Sequence, residues 1–202
     1  MTPRRYTQRG RADSAAETKQ RIREAALALY HERGVAATTL QAIAERADVA
    51  RGTVLNHFGS ADGLLEAVLD ETVAKIRYPD EHLQEGASSE PERIRRYVDA
   101  MFRFYVRGEE DWPAFSRDLD LPVLKAREAH YYAIVARVYA ATFLDLAGDR
   151  IVGAATRAYV NFAPLYDLRA AGLSLDEAID VVADSLIDLV ARRRNEAPMS
   201  ID

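Results

Sequence analysis

Ala44, Val49 and Val54 recur at intervals of five inside the stretch Thr38 to Phe58, TTLQAIAERADVARGTVLNHF, which reads as two short helices joined by a tight turn. A helix-turn-helix needs a small residue where two short helices cross, and two apolar residues that lock the turn and the second helix inward. Ala44 supplies the first, Val49 and Val54 the others. Thr38 or Thr39 can cap the first helix through its hydroxyl, and Asp48 can take the left-handed conformation between the helices. The second helix would then present Arg51, Gly52, Thr53, Asn56 and His57 outward. With Thr39, these groups suit phosphate oxygens and base edges and are the expected DNA contacts. The bare spacing also fits an ordinary helical hairpin, so the flanking sequence has to decide.

From Ile22 the chain reads IREAALALYHERGVAATTLQAIAERADVARGTVLNHFGSADGLLEAVLDE. This closely resembles the amino-terminal domain of the tetracycline-repressor (TetR) family of bacterial transcription regulators, over roughly residues 17 to 76. The likeness rests on the AAL-x-L-aromatic-x-x-x-G element of a first helix, the Thr38-Thr39 start of a second, and the Thr53-x-x-x-His57-Phe58 element of a third. The acidic-leucine opening of a fourth (Asp62, Leu64, Leu65) follows. The resemblance implies a homodimer on a palindromic operator in double-stranded DNA, acting as a repressor and released by a small-molecule effector. Three departures stand out. Asp48 replaces the usual Gly, Leu55 the common Tyr, and Ala61 a frequent Lys. The last two delete phosphate-holding groups, which shifts weight onto Arg51, His57 and the amino-terminal arginines.

The charge is distributed as such a protein requires. The whole chain carries a net −5, yet the first sixty residues hold ten Lys or Arg against six Asp or Glu. A basic module at the amino end of an acidic body is the expectation. Arg4, Arg5, Arg9 and Arg11 lie in a segment without apolar periodicity and are expected to form a flexible basic arm over residues 1–14; a merely solubilising tail would look the same. The chain has no cysteine, which excludes disulfides, thiolate metal sites and cysteine nucleophiles. Residues 1 to 20 are polar without a signal-peptide core, and no apolar run is long enough to span a membrane, so a cytoplasmic protein without membrane contact is expected.

The fold class is all-α: a three-helix DNA-binding domain over 15–60, then a helical-bundle effector-binding and dimerisation domain over 61–202. A first helix is expected near 15 to 33, the helix-turn-helix near 39 to 58 and a fourth helix to about Ile76. A polar loop over 78 to 91 follows. Further helices are expected at Glu92 to Arg107, Trp112 to Leu119, Pro122 to Leu146, Arg150 to Ala171 with a kink at Pro164, and Leu175 to Arg194. Ser174 and Glu177 make a capping box for the last.

In the body, Tyr97, Met101, Phe104, Tyr105, Phe115, Tyr131, Tyr159, Phe162 and Tyr166 come from helices that should converge. Buried tyrosines need hydroxyl partners, so they suit an apolar ligand with a few polar groups, although aromatic residues at helical spacing equally build ordinary cores. The resemblance implies that some line an effector cavity. Val152, Ala155, Ile179, Val182, Leu186 and Leu189 are the expected dimer contacts on the last two helices, unless these stripes face their own core. No cofactor motif is present, no second histidine joins His130 at metal-ligand spacing, and the four histidines form no catalytic constellation, so an enzyme is not expected. The alternative function is a dimeric small-molecule-binding protein with weak or lost DNA affinity.

Overall fold

The computed structural model describes the backbone of residues 4–196 and the side chains of residues 14–196 other than Glu81. Helix α1 spans Arg4–Arg33, so the backbone is already helical where an arm was expected; the side chains of Arg4, Arg5, Arg9 and Arg11 lie outside those described. Ten α-helices and three short 3-10 helices make up the regular structure, with no strand among the described residues. They divide into two compact units, which are taken in turn.

The first unit holds the described residues up to Lys75 together with Glu109–Glu128. Ile22, Ala25, Ala26, Leu29 and Tyr30 of α1 recur at three- and four-residue steps and are buried as one stripe. The helix ends at Gly34, whose φ of +85° suits a residue without Cβ. Helix α2 covers Leu40–Arg46 and α3 Arg51–Phe58. Of the two threonines that could cap α2, Thr39 does so, accepting from the Ala42 amide at 3.1 Å. Thr38 instead donates to the Gly34 carbonyl at 2.6 Å. Ala44 and Val54 are buried, Val49 packs half-buried against the same core, and Asp48 takes a left-handed φ of 51° in the turn. The spacing of five is thus used as expected. Helix α4, Ala61–Ile76, opens with the Ser60 hydroxyl accepting from the Gly63 amide.

The expected division at residue 60 is not where the packing divides. Leu64, Leu65, Val68 and Leu69 of α4 share one core with α1, and so do Ala114 and Phe115 of the short α6 (Trp112–Phe115) and Leu124. An eighty-residue gap in sequence hides this, because apolar periodicity marks a buried face without naming its partner.

The second unit comprises Ile76–Gly108 and the chain from Ala129 on. Helix α5 runs Glu90–Gly108, α7 Pro122–Phe143, α8 Arg150–Tyr159, α9 Phe162–Ala170 and α10 Leu175–Glu196. Ile94, Val98, Phe102, Val138, Phe143, Val152 and Leu186 form the centre of its core. The single kinked helix expected over Arg150 to Ala171 is two helices. Asn161 separates them: its side chain donates to the Arg157 and Ala158 carbonyls and accepts from the Ala163 amide. Pro164 then falls in the first turn of α9, where its missing N–H costs nothing. The capping box of α10 forms, with Glu177 accepting from the Ser174 amide at 2.8 Å and Ser174 from the Glu177 amide at 3.2 Å.

Candidate functional site

Helix α3 begins without a side-chain cap. Ala50 precedes it in extended conformation and has no side-chain acceptor; its carbonyl accepts from the Thr53 amide at 2.8 Å, so the Arg51 and Gly52 amides are the ones left to an outside anion. Arg51 and Gly52 are exposed at that end, Thr53 is half-buried, and Asn56 stands exposed one turn on. His57 is half-buried, its ring 6.3 Å from that of Phe58 and tilted edge-on. Thr39 is exposed at the start of α2, with its oxygen committed to the cap and its hydroxyl proton free to donate.

The glycines separate fold from site. At Gly63 a Cβ would run into the Phe58 carbonyl oxygen, and Gly34 and Gly59 have positive φ. Gly52 has neither reason: its φ is ordinary and nothing lies within 4 Å of an added Cβ. A glycine inside a helix costs up to about 1 kcal/mol relative to alanine. Packing in this chain does not explain it.

In the second unit the structure brings together part of the expected aromatic set. The rings of Phe104 and Tyr131 stack at 5.3 Å and 14°, and Tyr105 Oη lies 3.2 Å from Tyr131 Oη while donating to the Val160 carbonyl. Tyr97 meets Tyr139 and Phe143 edge-on, and Met101 is buried in the same core. Burial pushes the phenols of Tyr97 and Tyr131 well up and raises that of Tyr105, and the charges acting on Tyr97 and Tyr131 beyond burial are those of other phenols. Tyr139 Oη is buried with no hydrogen-bond partner. Burial also raises Tyr139, opposed by the Arg157 guanidinium.

Three expected ligand contacts stand elsewhere. Phe115 packs edge-on against Tyr30 at 6.2 Å in the core of the first unit. Tyr159 at the end of α8 and Tyr166 in α9 are exposed, at 46% and 59%. Phe162 is half-buried at the start of α9. A surface cavity of about 380 Å³ in this unit is lined by Arg95, Arg96, Asp99, Asp176, Ile179 and Asp180, not by the tyrosines. Tyr78, placed in a loop by the Pro79 that follows it, lays its ring against Phe104 and Tyr131. Only a three-dimensional contact reveals that residue.

Comparison with known proteins agrees with the first unit. The sequence profile of bacterial regulatory proteins of the tetR family matches residues 22–68. The HTH-type transcriptional regulator TtgR of Pseudomonas putida is 40% identical over 80 residues, 40% of this chain and 36% of that protein. The matched part is thus little more than a third of that relative's length. The HTH-type transcriptional regulator BetI of Paraburkholderia xenovorans is 29% identical over 182 residues, covering 85% of this chain and 92% of BetI. A crystal structure of NalD, the secondary repressor of the MexAB-OprM multidrug efflux pump in Pseudomonas aeruginosa, shares the fold with a TM-score of 0.58 at 21% identity, over 87% of this chain and 96% of that one.

Residues 22–68 thus resemble the tetR family of bacterial regulatory proteins.

Four of the six expected dimer contacts face inward in this chain. Val152, Ile179, Val182 and Leu186 are buried in the core of their own unit. Ala155 and Leu189 are half-buried. The apolar stripe of each helix therefore lies mainly in the core of its own unit. The outward residues are others: Ile151, Ala154, Ala158 and Tyr159 on α8, and Val181 and Ser185 on α10. Among the described residues, no helix is long and apolar enough to cross a membrane.

Proposed function

We propose that this protein is a ligand-responsive transcriptional regulator that binds a palindromic operator as a homodimer and is released by a small molecule. The observation that carries the reading is α3: an eight-residue helix with an uncapped amino end, an unexplained glycine and an outward row of Arg51, Gly52, Thr53, Asn56 and His57. In this reading first-turn amides and Arg51 hold phosphates, while Asn56 and Thr53 read base edges. Thr39 and His57 add contacts at the flanks. The arm arginines Arg4, Arg5, Arg9 and Arg11 add sequence-tolerant attraction.

Two copies meet through the outward faces of α8 and α10. Ile151, Ala154, Ala158 and Tyr159 present an apolar face at helical spacing, with Val181 and Ser185 on the neighbouring helix. Two-fold symmetry sets two copies of α3 on two half-sites. The effector enters the region of Tyr97, Met101, Phe104, Tyr105 and Tyr131. Phenols surrounded by phenols, with the buried Tyr139 hydroxyl unbonded, favour an uncharged aromatic molecule with at least one polar group. Effector binding shifts the population toward a form in which the two α3 helices no longer match the half-site spacing. The protein acts in the cytoplasm, as a regulator and not as an enzyme, in keeping with relatives named as regulators.

A second reading, a dimeric ligand-binding protein without DNA affinity, draws on Leu55 and Ala61, neither of which can hold a phosphate. One experiment separates them. Duplexes are selected from a random library by the full-length protein, and the enriched sequence is titrated by fluorescence anisotropy at several salt concentrations. Enrichment of one palindrome, with affinity falling steeply as salt rises, is the expected result. Uniform weak binding to every duplex would favour the second reading.

A further inference from the structure

The segment Glu109–Glu128 lies between α5 and the main part of α7 in sequence, yet it packs in the first unit and grips the loop that leads into the helix-turn-helix. Three polar ties surround an apolar pin. Asp111 Oδ1 lies 3.2 Å from His31 Nε2, and the Arg117 guanidinium donates to the His31 carbonyl at 2.8 Å. Asp118 Oδ2 accepts from the backbone amides of Val35 at 2.7 Å and Ala36 at 3.2 Å. Ala114 and Phe115 are buried between them in sequence.

The third tie is the unusual one. Successive amides after a left-handed glycine form a concave nest that favours an anion. Here the nest follows Gly34, and a chain carboxylate fills it. The approach is close enough that a Cβ at Gly34 would sit 2.6 Å from Asp118 Oδ2. The same carboxylate stands at the carboxyl end of α1, where the helix dipole disfavours negative charge. Two amides hold it there.

We propose that Asp118 is a positioning residue for DNA reading: its carboxylate fixes the Gly34–Thr38 loop and thereby the start of α2. The proposal rests on the regulator reading above. The loop is five residues long, and the amides that Asp118 holds lie within a few residues of Thr39, which caps α2 and is an expected DNA contact. Helices of seven and eight residues are too short to hold their own placement, so the pair inherits it from the loop and the core. Without the carboxylate the amides of Val35 and Ala36 would turn to water and the loop would sample other paths.

The test uses the full-length chain and the palindrome enriched by the wild-type protein. Asp118→Ala is expected to bind that duplex at least about tenfold more weakly, with the salt slope unchanged because no cation is lost. Asp118→Asn, of the same shape and still able to accept, is expected to fall between. Exchange of the Val35 and Ala36 amide protons, followed by NMR, is expected to accelerate in Asp118→Ala while that of Leu29 in α1 stays slow. A merely structural contact would speed exchange and leave affinity intact in both variants, and that result overturns the proposal. Unaltered exchange would overturn it as well. If Asp118→Ala does not fold, Asp118→Asn decides by the same two readouts. A wild-type chain that enriches no duplex defeats the regulator reading itself, and the proposal with it, before any variant is made.

Discussion

Replacing Gly52 by alanine should move stability and DNA affinity in opposite directions. Gly52 is the second residue of α3, has helical backbone angles and finds open space where a Cβ would stand. Alanine restricts the unfolded chain and favours the helix, so the variant should gain roughly 0.5 kcal/mol, the discount from about 1 reflecting its first-turn position. For a chain of this size that is about 1–2 °C in melting temperature. Differential scanning calorimetry would resolve it.

Binding should suffer by much more. If the backbone of α3 approaches a phosphate here, a methyl group lifts the amide away and removes one charge-assisted hydrogen bond, worth about 1.5 kcal/mol at the low end. A two-fold dimer loses it twice, so about 3 kcal/mol, or roughly a hundredfold in affinity for the enriched palindrome. The salt slope should not change, because an amide displaces no counterion. Normal affinity in a stabilised Gly52→Ala variant would refute the reasoning, since it would show that nothing comes within a methyl's breadth of Gly52. A destabilised variant would refute the other half.

Arg51→Ala should weaken all duplexes alike and lower the salt slope by about one for each half-site, whereas Asn56→Ala should erase preference for the palindrome with the slope intact, both read by anisotropy titration. Ala154→Arg or Val181→Asp should give folded monomers on size-exclusion chromatography with light scattering. Ile179→Asp should instead lose the circular-dichroism melt, because Ile179 is buried in its own unit. Asp149 is held below the usual carboxylate range by the Val152 amide and then by Arg193. Its folded form binds fewer protons than its unfolded form, so its contribution is present above the unfolded pKa and is lost as pH falls through the lowered folded one. Asp149→Asn should therefore flatten the acid limb of a urea-unfolding series taken against pH, and an unchanged limb would count against that cause.

What the sequence disclosed followed the range of each signal. Caps and turns are local, and Thr39, Asp48, Gly34 and the Ser174–Glu177 box all stand as their chemistry required. The helix-turn-helix was legible for the same reason: Ala44, Val49 and Val54 lie close together in the chain and in space. One local signal misled. Pro164 looked like a kink in a long helix, when the capping side chain of Asn161 three residues earlier makes it a helix start. Partnership was the harder matter. The stripes of α8 and α10 were found, but a stripe is apolar whether it meets its own core or a second copy, and Val152 and Leu186 meet their own. Phe115 shows the same limit, since an aromatic residue among body helices packs with Tyr30 far upstream.

The residues that most sharpen the functional reading are those whose identity the fold leaves unexplained or explains only by contact. Gly34, Gly59 and Gly63 each have a backbone reason, so they say little about what the protein does. Gly52 has none, and helix propensity opposes it, which makes an outside partner the economical cause. Asp118 gives the complementary case. A carboxylate at the carboxyl end of a helix is electrostatically misplaced unless something there needs an anion, and the Val35 and Ala36 amides do. One residue is too small for its helix and the other carries the wrong charge for its position. Gly52 stands in α3 and Asp118 holds the loop that leads to α2, and each departs from local preference where reading DNA would require it.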